Sequence, residues 1–219
     1  MLRLGRHRPA VTDSRAQFEG LDGLYLPIAA GVFAVVVTAL FVVLVRYRAR
    51  PGSIARPTRD RYSLDVGLAL TVGLIVAVLL AYGLPANSRE TALAARPAFR
   101  VDVVAFKWGW RFTYPSLPGV VDQSASGRPA SLHVPAGVTV AFSLRTRDVV
   151  HSFWIPDQRF KRDAWPDTVQ RFDLRFGPGA TDAVGHCAQF CGLGHAAMTF
   201  TVHSLDGARF RAWARRARG

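Results

Sequence analysis

Four residues with metal-binding side chains lie close together near the C-terminal end of the sequence. Cys187, Cys191, His195 and Met198 have the spacing C-x3-C-x3-H-x2-M. Two thiolates, an imidazole and a thioether form a soft ligand set that suits copper. Zinc fits less well because methionine is not among its usual ligands. A disulfide is the alternative, but so short a loop would strain the bridge and leave the histidine and methionine unexplained.

The second cysteine indicates that more than one metal ion is bound. A mononuclear blue-copper centre needs one cysteine, two histidines and a weak axial methionine. Two cysteines favour two metal ions that share bridging thiolates, and a second histidine is then required. His151, at the start of the segment HSFWIP, is the best candidate.

Alternating polar and apolar residues predict that these ligands are held by a β domain. The segments GVTVAFSLR (137–145) and VQRFDLRF (169–176) alternate with a period of two, as half-buried strands do. Further short strands are expected at 99–106, 151–156 and 198–203. Proline- and glycine-containing breaks separate them, which is typical of an antiparallel sandwich or barrel.

Two long apolar segments precede this domain. Residues 24–45 and 66–84 are uncharged runs of 22 and 19 residues. A bilayer core of about 30 Å needs roughly 17–25 helical residues, so each run is long enough to span it. The first run is longer than a signal-peptide core and lacks a small-residue cleavage pattern. The alternative, a pair of buried helices in a soluble protein, fits poorly because both runs are apolar on every face.

The distribution of arginine predicts the orientation of this hairpin. The loop between the two runs carries six arginines: Arg46, Arg48, Arg50, Arg56, Arg59 and Arg61. The positive-inside rule places such a loop in the cytoplasm, so both termini and the β domain lie on the outer face of the membrane. The N-terminal arginines oppose this orientation, but the loop holds the larger cluster. The chain has a net charge of +13, yet its basic residues flank a bilayer or lie outside the cell, which excludes a nucleic-acid-binding protein.

The motifs around the predicted ligands resemble those of cytochrome c oxidase subunit 2. The family has a C-A-E-x-C-G-x-x-H-x-x-M loop, and residues 187–198 read CAQFCGLGHAAM. Its D-V-x-H-S-F-x-x-P, K-x-D-A-x-P and W-x-W segments correspond to DVVHSFWIP, KRDAWP and KWGWRFTY. The resemblance covers roughly residues 24 to 215. It implies a two-helix transmembrane hairpin followed by a cupredoxin-like Greek-key domain.

From the resemblance and the apolar runs we expect four segments. Residues 1–23 form an N-terminal tail on the outer face, and residues 24–84 form the hairpin with its cytoplasmic loop. Residues 85–210 form the cupredoxin-like domain, and residues 211–219 form a basic tail that is solvated or touches lipid headgroups.

The resemblance also implies a dinuclear copper A centre and the role of each ligand. Cys187 and Cys191 would bridge both coppers. One copper would add His151 and Met198, and the other would add His195 and the backbone carbonyl of Gln189. The centre would take electrons from cytochrome c and pass them to the haem of subunit 1, where oxygen is reduced. Trp108 corresponds to the tryptophan through which electrons enter, although an aromatic packing role is the alternative; subunit 3 is a further expected partner.

Two residues depart from the family pattern. Gln189 replaces a glutamate whose side chain helps to hold a magnesium ion at the interface with subunit 1. A neutral amide binds magnesium less well, so Gln189 weakens the expectation of that ion while leaving the backbone ligand intact. Asp65 stands where the family often has a glutamate that admits protons to subunit 1. It is a candidate for that role, and a helix cap at the membrane interface is the alternative.

The charge of the outer domain differs from that of family members with acidic docking residues. Residues 86–219 hold 18 Lys and Arg against 10 Asp and Glu, a net charge of +8. A lysine-rich cytochrome c would be repelled. We therefore expect an acidic or membrane-tethered donor.

Three other functions are alternatives to electron entry into an oxidase. A quinol oxidase subunit 2 has the same fold but has lost the copper ligands, which are all present here. A copper-A-bearing nitric oxide reductase subunit could use the same loop. A membrane-anchored copper carrier would expose a labile site and would not need the aromatic W-x-W stretch.

Overall fold

A computed structural model describes residues 14–48, 52, 61–90 and 93–219 of the chain. The chain divides into two compact units, a helical unit of residues 19–87 and a β unit that contains residues 88–219. Arg3, Arg6, Arg8, Arg50, Arg56 and Arg59, which enter the orientation argument, lie outside the described residues.

The helical unit consists of two helices, α1 (Ser14–Arg46) and α2 (Tyr62–Glu90). Both extend beyond the uncharged runs because the flanking residues continue the helical hydrogen bonding. The Tyr25 hydroxyl on α1 donates a hydrogen bond to the Leu79 carbonyl on α2 across 3.0 Å. Each helix is long and apolar enough to cross a membrane, and the apolar side chains of both are exposed. The pair fits a membrane-anchored protein.

Ten strands form two five-stranded sheets in the β unit. The first sheet has the order β3-β2-β1-β5-β8 and the second has the order β4-β10-β9-β6-β7. Neighbouring strands are antiparallel, except for the parallel pairs β1/β5 and β4/β10. The strands are β1 (Phe99–Phe106), β2 (Gly109–Thr113), β3 (Val121–Gln123), β4 (Ala130–Pro135), β5 (Thr139–Thr146), β6 (His151–Ile155), β7 (Phe160–Ala164), β8 (Gln170–Arg175), β9 (Thr181–Cys187) and β10 (Thr199–Leu205).

An aromatic core fills the space between the two sheets. Phe153 on β6 stacks on Phe200 on β10 with ring centroids 4.8 Å apart, and Trp110 on β2 meets Phe200 edge to face at 5.2 Å. Phe142 and Phe172 stack at 5.1 Å on β5 and β8. Burial of large aromatic rings is the main stabilising contribution to such a core. The predicted architecture, two apolar helices followed by a cupredoxin-like sandwich, is confirmed.

The C-terminal residues form a helix where the sequence suggests only a basic tail. Helix α3 runs from Gly207 to Arg216. Its N-cap, Asp206, accepts hydrogen bonds from the backbone N–H groups of Ala208 and Arg209 at 3.0 and 2.9 Å, which satisfies donors that a helix start leaves free. Phe210, Trp213 and Ala214 have the i, i+3, i+4 spacing of one helix face and pack against the core.

Candidate metal centre

The loop between β9 and β10 carries most of the predicted ligands. The two strands are antiparallel neighbours, and the Cys187 N–H donates to the Met198 carbonyl across 2.9 Å at the base of the loop. A 3-10 turn at His195–Ala197 then brings the chain back. The His195 N–H donates to the Gly192 carbonyl at 3.0 Å, which orders the middle of the loop.

Strand β6 brings His151 to this loop. Phe153 on β6 lies opposite Cys187 on β9. Side chains two residues apart in a strand share a face, so His151 also points inward, and it is fully buried. The Ala188 N–H donates to the Ser152 carbonyl at 3.1 Å and fastens the loop to β6.

The donor atoms of the predicted ligands converge on the two cysteines. The ligand atoms of His151, Cys187 and Cys191 all lie within 4.8 Å of one another. The measured distances are 3.9 Å between Cys187 Sγ and Cys191 Sγ, 3.8 Å from Cys187 Sγ to His151 Nδ1, 3.6 Å from Cys191 Sγ to His195 Nδ1, 3.8 Å from Cys191 Sγ to Met198 Sδ, and 3.2 Å from Cys187 Sγ to the Gln189 carbonyl oxygen.

The two cysteines are free thiols, and the surroundings shift their pKa values in opposite directions. Their sulfurs are too far apart for a disulfide, which has a bond of about 2.05 Å. Burial raises the pKa of Cys187, but hydrogen bonds to His151 and to backbone groups outweigh burial and lower it. Burial and the nearby Cys187 raise the pKa of Cys191. A thiolate at Cys187 therefore disfavours ionisation of Cys191, and a bound cation would relieve this repulsion.

Asp148 positions the buried histidine and was not singled out from the sequence. Its Oδ1 lies 2.8 Å from His151 Nε2, so the other ring nitrogen, Nδ1, faces Cys187. Burial disfavours the charged imidazole, but the bonds to Cys187 and Asp148 raise the pKa of His151. A carboxylate on the far nitrogen is the usual way in which proteins orient a metal-binding histidine. The signal in the sequence was the aspartate three residues before His151.

Trp108 covers the loop from the solvent side. Its side chain is partly exposed, and its indole N–H donates to the Cys191 carbonyl across 3.0 Å. Gly192 and Gly194 lie beneath the ring; a Cβ added at Gly194 would be 2.5 Å from Trp108 Cγ. The sequence did not reveal this requirement for glycine.

The remaining predicted residues lie in different settings. The Gln189 side chain is exposed, while its carbonyl faces the cluster. The aspartate of the KRDAWP segment, Asp163, accepts a 2.7 Å hydrogen bond from the Ser152 hydroxyl and ties β7 to β6. Asp65 belongs to the helical unit, where it is exposed in the first turn of α2. The helix dipole favours a carboxylate in the first turn of a helix in any case, so this position does not by itself indicate proton entry.

The donor set fits two copper ions. It comprises two thiolates that face each other, two imidazoles, a thioether and a carbonyl oxygen, and the sulfur ligands and His151 are buried. Soft sulfur ligands combined with imidazole favour copper. The two thiolates repel each other, and positively charged metal ions bound between them would offset this repulsion.

Comparisons with known proteins find relatives of this chain. Residues 128–205 match the family model for the periplasmic domain of cytochrome c oxidase subunit II. A probable cytochrome c oxidase subunit 2 of Streptomyces avermitilis is 27% identical over 194 residues, which cover 71% of this chain and 60% of that protein. The cytochrome c oxidase subunit 2 of Corynebacterium glutamicum is 25% identical over 239 residues, which cover 82% of this chain and 67% of that protein. The chain thus spans about three fifths to two thirds of the length of these relatives.

A solved structure shares the fold of the β unit. The periplasmic domain of subunit II of cytochrome oxidase from Bradyrhizobium japonicum superposes with a TM-score of 0.52 at 20% identity, covering 57% of this chain and 96% of that domain. The resemblance predicted from the metal-loop motifs is confirmed, because residues 128–205 match the family model for the periplasmic domain of cytochrome c oxidase subunit II.

Proposed function

We propose that this chain is the electron-accepting subunit of a respiratory haem-copper oxidase in a bacterial plasma membrane. Its β unit lies on the outer face and holds a dinuclear copper A centre through Cys187, Cys191, His151, His195, Met198 and the Gln189 carbonyl. Electrons come from a cytochrome c-type donor and pass to the haem of subunit 1, where oxygen is reduced to water. Subunit 3 completes the expected complex.

The observation that carries the proposal is the convergence of six donor atoms beneath Trp108. The sulfur ligands and His151 are buried, and Trp108 is bonded to the cluster through the Cys191 carbonyl. When bound, the two coppers would supply one-electron redox chemistry. A copper carrier needs ligands that can be released readily, so burial of this set favours electron transfer.

The protein's own contribution is to hold the ligands still. Asp148 fixes the ring of His151, and strand pairing fixes Cys187 opposite Phe153. The hydrogen bond between Cys187 and Met198 closes the loop. Preorganised ligands change little when the charge of the site changes, which keeps the reorganisation energy of electron transfer small.

Positive charge around Trp108 supports an acidic or membrane-tethered donor. Lys107 precedes the tryptophan. Arg128, whose guanidinium is 3.8 Å from the Asp122 carboxylate, lines the same cavity of about 500 Å³ as Trp108. Arg147 is held beside the end of β1 by its backbone bond to the Ala105 carbonyl at 3.0 Å. The nearby Asp148 is engaged by His151 and by the Lys107 N–H. Opposite charge on a donor accelerates encounter, whereas like charge slows it.

Stopped-flow reduction of the copper-loaded full chain tests the donor. An acidic cytochrome c should reduce it faster than a lysine-rich one at low ionic strength, and added salt should slow the acidic donor only. Arg128→Glu should reduce the advantage of the acidic donor, while the matched control Arg175→Glu should not. Fast reduction by the lysine-rich protein that slows with salt would contradict the proposed donor but leave the copper site untouched.

The nature of the large partner subunit distinguishes oxygen reduction from nitric oxide reduction. A copper A loop serves either reaction. Purification of the native complex and identification of its haem-containing subunit would decide between them.

A further inference from the structure

Helix α3 presents an arginine-rich face that the electron-transfer function leaves unused. Five arginines follow its N-cap: Arg209, Arg211, Arg215, Arg216 and Arg218, all exposed. The sequence contains no acidic residue after Asp206. Arg209 lies 3.5 Å from Asp206, and Arg218 donates to the Ser116 carbonyl at 3.1 Å. Among the described residues, no carboxylate forms an ion pair with Arg211, Arg215 or Arg216.

The apolar face of the same helix is fixed on the β unit. Trp213 stacks on His133 of β4 with ring centroids 4.5 Å apart and planes 10° apart, and it meets Tyr114 edge to face at 5.1 Å. Phe210 packs on Phe99 at 5.0 Å. The arginine face is therefore held rigidly in solvent, and a preorganised surface loses less entropy on binding.

Helix electrostatics account for only part of this charge. Cations in the last turn interact favourably with the C-terminal end of the helix dipole. Arg215 and Arg216 lie in that turn. Arg209 lies in the first turn, but it is 3.5 Å from the Asp206 carboxylate, and Arg211 lies in the middle of the helix. The helix dipole therefore does not account for Arg211, which has no ion pair among the described residues.

The short connection between α2 and β1 limits how far α3 can lie from the end of α2. Phe210 contacts Phe99, the first residue of β1. Phe99 follows Glu90, the last residue of α2, by nine positions. An extended chain reaches about 3.3–3.6 Å per residue, so this tether spans at most about 32 Å. A connection of this length permits α3 to reach lipid phosphates at the end of a membrane-spanning α2.

We propose that the arginine face of α3 is a docking surface for anionic lipid headgroups. Guanidinium groups bind phosphate in bidentate fashion, and each arginine near an anionic surface contributes about fivefold in affinity. The contact would hold the β unit against the bilayer at the end of the sandwich away from the metal loop. This proposal rests on membrane anchoring and does not depend on the copper centre.

Hydrogen–deuterium exchange of the full chain in lipid nanodiscs tests the surface. Nanodiscs of phosphatidylcholine alone are compared with nanodiscs that contain one third phosphatidylglycerol. We expect slower exchange of the peptide spanning 207–219 in the anionic discs, and loss of this protection at about 1 M NaCl, where the Debye length is about 3 Å. Incorporation into the discs checks the membrane anchoring separately.

Variants separate charge from helix structure. Arg211→Gln with Arg215→Gln should weaken headgroup affinity about 30-fold and abolish the protection. Arg171→Gln with Arg175→Gln, which removes two exposed charges on β8, should leave it intact. Arg211→Lys with Arg215→Lys should keep most of it, which excludes loss of the fold as the cause.

Three results would overturn the proposal. Equal exchange in the two kinds of disc would exclude a lipid contact. Protection by inorganic phosphate in the neutral discs would indicate a site for a free anion. Protection that develops only in the assembled oxidase, whatever the lipid, would indicate an acidic protein partner.

Discussion

The indole N–H of Trp108 donates a hydrogen bond to the backbone carbonyl of Cys191 across 3.0 Å. Trp108 lies in the turn between β1 and β2 of one sheet, and Cys191 lies in the metal loop of the other sheet. The contact joins a partly exposed ring directly to a proposed copper ligand. It is a covalent and hydrogen-bonded route from the surface to the buried cluster.

Trp108→Phe keeps a ring over the loop but removes this hydrogen bond. We expect a loss of about 1 kcal/mol of stability and slower reduction by the donor, while the copper content stays the same. Stopped-flow reduction with a parallel copper assay measures both effects. Trp165→Phe, at another exposed tryptophan, is the control. Unchanged reduction kinetics in Trp108→Phe would show that the indole bond plays no part.

Gly194→Ala should displace Trp108. The added Cβ would lie 2.5 Å from Trp108 Cγ and 2.9 Å from its Cβ, so the ring or the loop must move. Overpacking of this kind costs about 1–3 kcal/mol. Chemical denaturation and tryptophan emission measure the change. Gly177→Ala is the matched control because nothing lies within 4 Å of its added Cβ, and an equal effect in both variants would contradict the packing argument.

Asp148→Ala should weaken metal binding without removing a ligand. The substitution leaves His151 Nε2 without its 2.8 Å partner, and loss of such a partner costs about 10–100-fold in metal affinity. Competition with a copper chelator measures the affinity. Asp157→Ala, in the turn after β6, is the control. Wild-type affinity in Asp148→Ala would mean that packing alone orients His151.

The stack of His133 on Trp213 makes the stability of the β unit depend on pH. Burial, together with the nearby His203, lowers the pKa of His133 from 6.5 to about 4. Below pH 6.5 the unfolded chain therefore binds a proton at His133, whereas the folded chain binds it only below about pH 4. Stability should fall as the pH decreases through this window, by at most about 1.4 kcal/mol per pH unit. Solvent screening of the partly exposed ring reduces this figure.

Urea unfolding of the wild type and of His133→Gln measures this contribution. The difference in free energy of unfolding between the two proteins gives the contribution of His133 alone, because the carboxyl groups that titrate in the same range are present in both. A constant difference across the window would show that His133 is protonated equally in both states.

The metal ligands were predictable because their identity and spacing are written in short segments. The β6 and loop residues carry dense motifs, and the segments predicted at 99–106, 137–145 and 169–176 correspond to β1, β5 and β8 within two residues at each end. Burial alternates along most of β5, whereas β1 and β8 each contain three consecutive buried residues. In contrast, β9 was not predicted. Its sequence TDAVGHC has polar residues and a glycine where a strand usually has apolar residues; Gly185 is required there because the Phe200 ring lies over it.

Contacts between distant segments could not be predicted. His133 and Trp213 are separated by eighty residues, and nothing local indicates that they stack. The basic composition of residues 211–219 suggested a tail that is solvated or touches lipid headgroups. It did not indicate a docked helix, because the three apolar residues that dock α3 are scattered among arginines. The need for glycine beneath Trp108 could not be predicted either, because it depends on a ring that comes from the other sheet.

Electron paramagnetic resonance of the copper-loaded full chain, with a copper count, tests the central claim most directly. The account predicts two coppers per chain and a hyperfine pattern from one unpaired electron shared by two copper nuclei, with both lost in Cys187→Ser. A signal from a single copper nucleus, or the absence of tightly bound copper, would contradict the dinuclear centre and with it the proposed electron-accepting role.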